Sequence, residues 1–559
     1  MFFQQLRPSL TKGLHGGIEQ VGSRFKEHSG IQRTRIDRNG IDAGCHGCKN
    51  YPDIAKALRE MADPSNAADS TLVSNLQKNS ELKTVALNNT PWVNSAAAET
   101  LRMSSLTDYT DSDRAQKAVD AIMATLKKTQ MADGGWSWCP DMRSSEYITG
   151  RVLLTLSMLR TMGYLPDGAE AMAKKAFAFC DKELTDAWIE SGRNGGKRRF
   201  SVSSLLNYLY IKSAFPQMKA TNGFGALERE AMKAVRGGWK GFSIYDKATA
   251  ATLLSRRNEP KAAAGILESL RQYAMSTPEK GMWYDNLDSS WDGFNRLITT
   301  AQVLEAFAEI EPQAPSVDAL RQWLLLSKQT EDWGDRSNTC EVIHAILTTG
   351  TKWTAPSAQP VITLDGKRIE PPHIAKYTGS FTMTLGEKEA SGKKLSIAKS
   401  SEGPAWGGVM AQYVSPILDV KPASVNELRI EKSVYSIGAD GVGTAGKVKT
   451  GDRIRVTLTI VCDRDMDYVA ATDGRSACLE PAEQLSGYTS SDGLWFYREV
   501  RNDATNLFIP FLPKGTHVIS YDCFADREGT YSLGIATAQS QYAPMIVAHS
   551  AGALITVEK

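Results

Sequence analysis

Two periodicities divide the chain. From about residue 69 to 350 apolar positions recur with helical spacing, as in Val303, Leu304, Phe307 and Ile310. A second example is Val342, Ile343, Ile346 and Leu347, followed by Gly350 as a helix stop. The same punctuation returns between these stretches: QMADGGWSW at 130–138, RGGWKGF at 236–242, GMWYDNLDSSWDGF at 281–294 and EDWGDRSNT at 331–339. Each offers glycine for tight backbone geometry and tryptophan as a large plug between neighbouring helices. A repeated turn of this kind predicts stacked helical hairpins that close into an α/α toroid.

After Trp353 the text changes. TAPSAQP at 354–360 reads as a linker, and strand-like material follows. In RIRVTLTI, residues Ile454, Val456, Leu458 and Ile460 alternate with Arg453, Arg455, Thr457 and Thr459, which predicts a half-buried strand. Turn signals near Asp440-Gly441, Lys449-Thr450-Gly451, Asp473-Gly474, Asp492-Gly493, Pro513-Lys514-Gly515 and Glu528-Gly529 space short strands as in a sandwich. The expected fold is multidomain, α then β: a toroid over 1–353, a partial small β domain over 354–424, and a terminal β-sandwich over 425–559.

At 559 residues the chain has room for two to four domains. Its 65 Lys and Arg against 63 Asp and Glu leave a formal charge of +2, which gives no reason to expect a nucleic-acid or anionic-membrane partner. No segment approaches about 18 uninterrupted apolar residues, so no transmembrane span is expected. The opening MFFQQLRPSLTKGLHGG has no basic region ahead of an apolar core, hence no export signal is read there, and the chain is expected to be a fragment of a longer protein. The eight cysteines show no disulfide framework. Cys45 and Cys48 form a lone CxxC without a second ligand pair nearby, read first as a structurally incidental pair, with a local disulfide or a weak metal site as the alternatives. No cofactor is expected.

Candidate chemistry is sparse. Gln130 to Trp136 fits QxxxGxW, a turn motif found in triterpene cyclases, which makes cyclisation a rival reading. Such enzymes protonate an alkene from a DxDD cluster, in which neighbouring carboxylates keep the donor acidic. Asp111-Ser112-Asp113-Arg114 lacks the last pair, and Asp285, Asp288 and Asp292 have the wrong spacing. A toroidal glycosidase would need two convergent carboxylates, which spacing alone does not reveal. His344, beside Ile343 and Ile346, reads as a boundary histidine rather than a ligand.

Several stretches resemble one family together and in order. HGGIEQVGSRF at 15–25, SNLQKNSELKTVALNNTPWV at 74–93 and QMADGGWSWCPDMRSSEYITGRVLLTLSML at 130–159 resemble the thioester-type helical domain of bacterial α2-macroglobulins. GPAWGGVMAQY at 403–413, DRDMDYVAATD at 463–473 and the text from Tyr497 to Gly552 resemble the strands that follow it and the terminal macroglobulin domain. The resemblance implies a protease-trapping protein: a bait region is cleaved, the molecule rearranges, and in active members a Cys-x-Glu-Gln thioester acylates the attacker. On that motif Gly17 falls where the cysteine stands, Glu19 on the glutamate and Gln20 on the glutamine. Glycine has no sulfur to displace ammonia from the Gln20 carboxamide, so the motif is read as a remnant without function.

The implied function is non-covalent inhibition of endopeptidases, in the periplasm or at the cell surface. Upstream macroglobulin domains and the bait region are expected but missing here. In this family the helical domain is inserted into a small β domain, so 360–424 would be its second half, with unpaired edges. The alternatives are a structural or interaction protein of the envelope that has lost trapping, and a toroidal enzyme such as a terpene cyclase or glycosidase.

Overall fold

The structure is a computed structural model that describes Trp92 and, with short gaps, residues 112–559. It divides into two compact units. Of the described residues, one unit takes 112–326 and 333–404, and the other takes Trp92, 327–330 and 405–559.

Among the described residues the first unit has ten long helices: α1 Ser112–Thr129, α2 Glu146–Thr161, α3 Ala169–Glu190, α4 Val202–Ser213, α5 Phe224–Gly238, α6 Ile244–Arg256, α7 Pro260–Tyr273, α8 Arg296–Ile310, α9 Pro315–Ser327 and α10 Arg336–Thr348. Their starts follow from local chemistry. The side chains of Ser145, Ser201 and Ser243 accept from Ile148 N, Ser204 N and Asp246 N, which satisfies amides that the first turn leaves free, and Pro260 opens α7.

Burial sorts the helices into two kinds. In α7 the buried residues are Ala263, Ile266, Leu267 and Leu270, one stripe at helical spacing. In α6 burial runs from Ile244 through Leu254 with only Asp246 more open, and α8 is buried from Leu297 to Leu304. A helix buried on all sides must have neighbours on all sides. Accordingly α2, α4, α6, α8 and α10 pack on one another in that order, with α3, α5 and α7 against their outer faces. α10 also reaches α2: Arg151 Nη2 donates to Glu341 Oε1 at 3.1 Å, and Thr161 Oγ1 lies 2.8 Å from His344 Nε2.

The turn ahead of α2 shows why its sequence is glycine and tryptophan. Gly134 has φ +95°, and a Cβ there would sit 2.4 Å from Lys175 O. Trp136 is buried, and its Nε1 donates to Leu126 O at 3.0 Å. Gln130 Nε2 ties the turn to α3 through Met172 O at 3.0 Å. The same unit holds a hairpin of β1 Met275–Thr277 and β2 Gly281–Trp283, and a three-stranded sheet in the order β4-β3-β5. Its strands are β3 Val361–Leu364, β4 Lys367–Ile369 and β5 Leu395–Ala398. Asp365 and Gly366, with φ 49° and 79°, form the tight turn between β3 and β4. Among the described residues, β4 and β5 each pair on one side only.

The second unit is a β-sandwich. One sheet has the order β12-β13-β14-β10-β17-β18 and the other β11-β15-β9-β6-β7. The first comprises β10 Met466–Gly474, β12 Gly487–Ser491, β13 Leu494–Val500, β14 Ala504–Leu512, β17 Ala536–Ser540 and β18 Val547–His549. The second comprises β6 Leu428–Ile437, β7 Gly443–Thr444, β9 Arg453–Cys462, β11 Leu479–Pro481 and β15 Gly515–Ala525. A smaller sheet adds β8 Val448–Lys449, β16 Gly529–Ser532 and β19 Leu554–Glu558.

The RIRVTLTI stretch lies in β9, with Ile454, Val456, Leu458 and Ile460 in the core. Asp492 and Gly493, at φ 49° and 73°, turn β12 into β13. The break expected near Asp473-Gly474 falls where strand β10 ends, at Gly474, with β11 following from Leu479. Asp473 points its carboxylate into the sandwich, 2.7 Å from Lys432 Nζ. Trp92 joins this unit too, edge-to-face with Tyr468 and Phe508 at centroid distances of 5.3 and 5.1 Å.

Candidate functional site

The motif residues Gly17, Glu19 and Gln20, and the pair Cys45 and Cys48, lie outside the described residues, as do Asp111, Asp288 and Asp292. Asp113 and Arg114 sit in the first turn of α1, and Asp285 pairs with Arg296 at 3.2 Å. Among the described residues no group of three or more His, Cys, Asp or Glu could hold a metal ion, and no disulfide joins the described cysteines.

The most developed polar site lies where the mutually packed helices end. His344 of α10 is buried rather than at a boundary. Its Nδ1 lies 2.6 Å from Glu305 Oε1 of α8, and its Nε2 lies 2.8 Å from Thr161 Oγ1 at the end of α2. Tyr210 of α4 donates to Glu305 Oε2 at 2.9 Å. Arg256, the last residue of α6, forks onto Glu309 at 2.8 and 2.7 Å and donates to Ser213 Oγ at 2.8 Å. Five helices thus meet through one hydrogen-bonded cluster.

Its electrostatics oppose burial with partners. Burial would raise the Glu305 carboxyl, yet charge and hydrogen bonds from His344, with Tyr210 and Arg256, hold it below the usual carboxylate range. Burial, reinforced by Glu305, pushes the Tyr210 phenol well up. Thr161, His344 and Glu305 share the order of a nucleophile, a base and an orienting carboxylate. However, the Thr161 hydroxyl has one proton and also lies 2.8 Å from Met158 O, a backbone acceptor that competes with Nε2 for it. Through His344 the arrangement ties α2, α8 and α10 together.

A second buried charge sits nearer the outer helices. Asp181 of α3, fully buried, accepts from Lys212 Nζ at 2.6 and 2.7 Å, from Tyr208 Oη at 2.6 Å and from Thr221 N at 2.9 Å. The Lys212 ammonium lies 4.7 Å from the Phe224 ring centroid, 5.6 Å from that of Tyr208 and 5.7 Å from that of Phe177. In the β unit the corresponding group is Lys432, which donates to Gly474 O and Leu533 O at 2.9 Å and faces Asp473, whose other oxygen accepts from Tyr521. Burial raises the Asp473 carboxyl, and Lys432 only partly offsets it.

None of these three clusters is announced by a local motif. The traceable signal is a charge in an otherwise apolar helix, as Glu305 is within LITTAQVLEAFAEI.

Residues 428–544 match the family model described as the bacterial alpha-2-macroglobulin MG10 domain. No curated protein matches the chain in sequence. Among solved structures, Escherichia coli alpha-2-macroglobulin activated by trypsin is 14% identical over 82% of this chain and 31% of its own, with a TM-score of 0.43. Salmonella alpha-2-macroglobulin reacted with methylamine is 17% identical over 80% of this chain and 28% of its own, at 0.32. The native E. coli protein from domain MG7 to the C-terminus is 15% identical over 80% of this chain and 68% of its own, at 0.31. The chain spans less than a third of the length of the first two.

Proposed function

We propose that this chain, which carries a bacterial alpha-2-macroglobulin MG10 domain over residues 428–544, works as the helical and C-terminal portion of an endopeptidase inhibitor of that family. The match of that domain carries the reading. The match lies within one continuous hydrophobic core that runs from Leu428 to Val557.

In this reading the helical unit is the α/α toroid of the family's thioester-type domain. Support comes from the serial packing of α2, α4, α6, α8 and α10 and from the hydrogen bonds that bring α10 back to α2. Inhibition is non-covalent, because Gly17 occupies the cysteine position of the motif ahead of Glu19 and Gln20. Proteases are the partners, in the context of upstream macroglobulin domains and in the periplasm or at the cell surface. We place no reaction in the helical unit: Glu305 and Glu309 are both engaged, one by His344 and Tyr210 and the other by Arg256.

The test uses the protein of the complete open reading frame with an excess of a general endopeptidase. The reading expects hydrolysis of large protein substrates to fall while a small chromogenic peptide is still cleaved, with no protease adduct on denaturing gels. Undiminished hydrolysis of large substrates would favour an envelope protein without trapping activity.

A further inference from the structure

We infer that a cleft at the seam of the β-sandwich binds a carboxylate carried by a peptide. The cleft has a volume of about 380 Å³, far more than the ~30 Å³ share of one water. Arg453 and Arg455 of β9 and Arg498 of β13 line it, together with Glu483 after β11 and Asp522 of β15. Both β11 and β12 are edge strands of their sheets, which leaves this end of the sandwich open to an incoming chain.

The internal partners leave cationic donors over. Asp522 alone serves two guanidiniums: Arg455 donates from Nε to Oδ1 at 2.8 Å and from Nη2 to Oδ2 at 3.1 Å, and Arg453 Nε donates to Oδ2 at 2.8 Å. Arg453 Nη2 also lies on Asp522 Oδ2, so this one carboxylate takes two N–H groups from each guanidinium, which carries five. Arg498, 15% exposed, gives one N–H to Glu483, itself 67% exposed, while its buried Nε–H has no acceptor. A buried donor without an acceptor is costly and points to a missing group.

Charge and geometry choose the class of ligand. Three arginines against two carboxylates leave a formal surplus of one positive charge, which suits a monoanion better than a phosphate dianion. Arg455 already grips the Asp522 carboxylate with two N–H groups, the planar two-point contact that a second carboxylate would make with Arg498. Glu483, on the exposed side, occupies part of that fork and competes with the incoming group.

The test is isothermal titration of the full chain with three capped peptides of one length. One carries a glutamate side chain and an amidated end, one a free C-terminal carboxylate, and one is neutral. Saturable binding of either acidic peptide, with none of the neutral one, is expected, and the pair distinguishes a side-chain from a terminal carboxylate. Arg498→Gln and Arg453→Gln should each weaken binding about tenfold, the loss of one charge-assisted contact. Glu483→Gln should tighten it severalfold, and Arg429→Gln, outside the cleft, should leave it unchanged. Equal binding of the neutral peptide, no saturation by either acidic one, binding of inorganic phosphate in their place, or no gain from Glu483→Gln would each overturn the inference. Circular dichroism of every variant separates lost binding from lost fold.

Discussion

The two units each bury a lysine against an aspartate, and they treat the pair differently. In the helical unit Asp181 accepts four hydrogen bonds and its lysine lies among three aromatic rings. In the sandwich Lys432 spends two of its donors on the Gly474 and Leu533 carbonyls, and Asp473 keeps a carboxyl raised by burial. The first pair is compensated from within; the second is compensated by the backbone that ends strand β10 and precedes β17. A buried ion pair therefore joins helices in one unit and pins the two faces of a sandwich in the other.

The largest expected effect breaks the helical pair. Lys212→Met leaves Asp181 buried without its cation and should cost about 3–5 kcal/mol, read from urea unfolding of the full chain followed by helical circular dichroism. The double variant Lys212→Met, Asp181→Leu should recover much of that loss. If the double variant is no better than the single one, the charge is not the reason for the loss.

Next in size is Gly134→Ala. The positive φ and the 2.4 Å approach to Lys175 O make any side chain strained, at about 2–3 kcal/mol, whereas Gly150→Ala, whose Cβ would meet nothing within 4 Å, should be neutral or mildly stabilising. Equal melting temperatures for the two variants would contradict the close turn.

The smallest effect is also the sharpest comparison, because the two units should respond to acid with opposite signs. Glu305 is held below its unfolded value near 4.3, so its contribution is present above that pH and is lost as pH falls through the lower folded value. Asp473 is raised, so its contribution is fully present below about 3.9 and is lost as pH rises through the higher folded value. Hydrogen exchange followed by mass spectrometry between pH 3 and 6 should show Glu305→Gln flattening the response of α8 and α10, and Asp473→Asn that of β6 and β10. A same-sign response from both would contradict the assignment.

Much of the fold was legible because it rests on local period. The alternation in RIRVTLTI places β9, and Asp492-Gly493 places a hairpin, since both follow from a few adjacent residues. The break near Asp473-Gly474 was legible in the same way, whereas the pairing of Asp473 with Lys432, distant in the chain, was not. The polar sites were not legible for the same reason. His344 meets Thr161 across 183 residues, and Arg455 meets Asp522 across 67. In sequence, Arg453 and Arg455 are simply the outward positions of an alternating strand, and only the register of β9 with β15 brings Asp522 beside them.

In the proposed function the chain acts without a thioester, because Gly17 stands where the motif requires cysteine. The most direct measurement is incubation of the protein with labelled methylamine, followed by peptide mapping across residues 15–25. The account predicts an unmodified Gln20 and an intact mass equal to that of the plain sequence. Methylamine incorporated at Gln20, or a chain lighter by one ammonia before treatment, would show that another thiol has taken the missing cysteine's place and would contradict it.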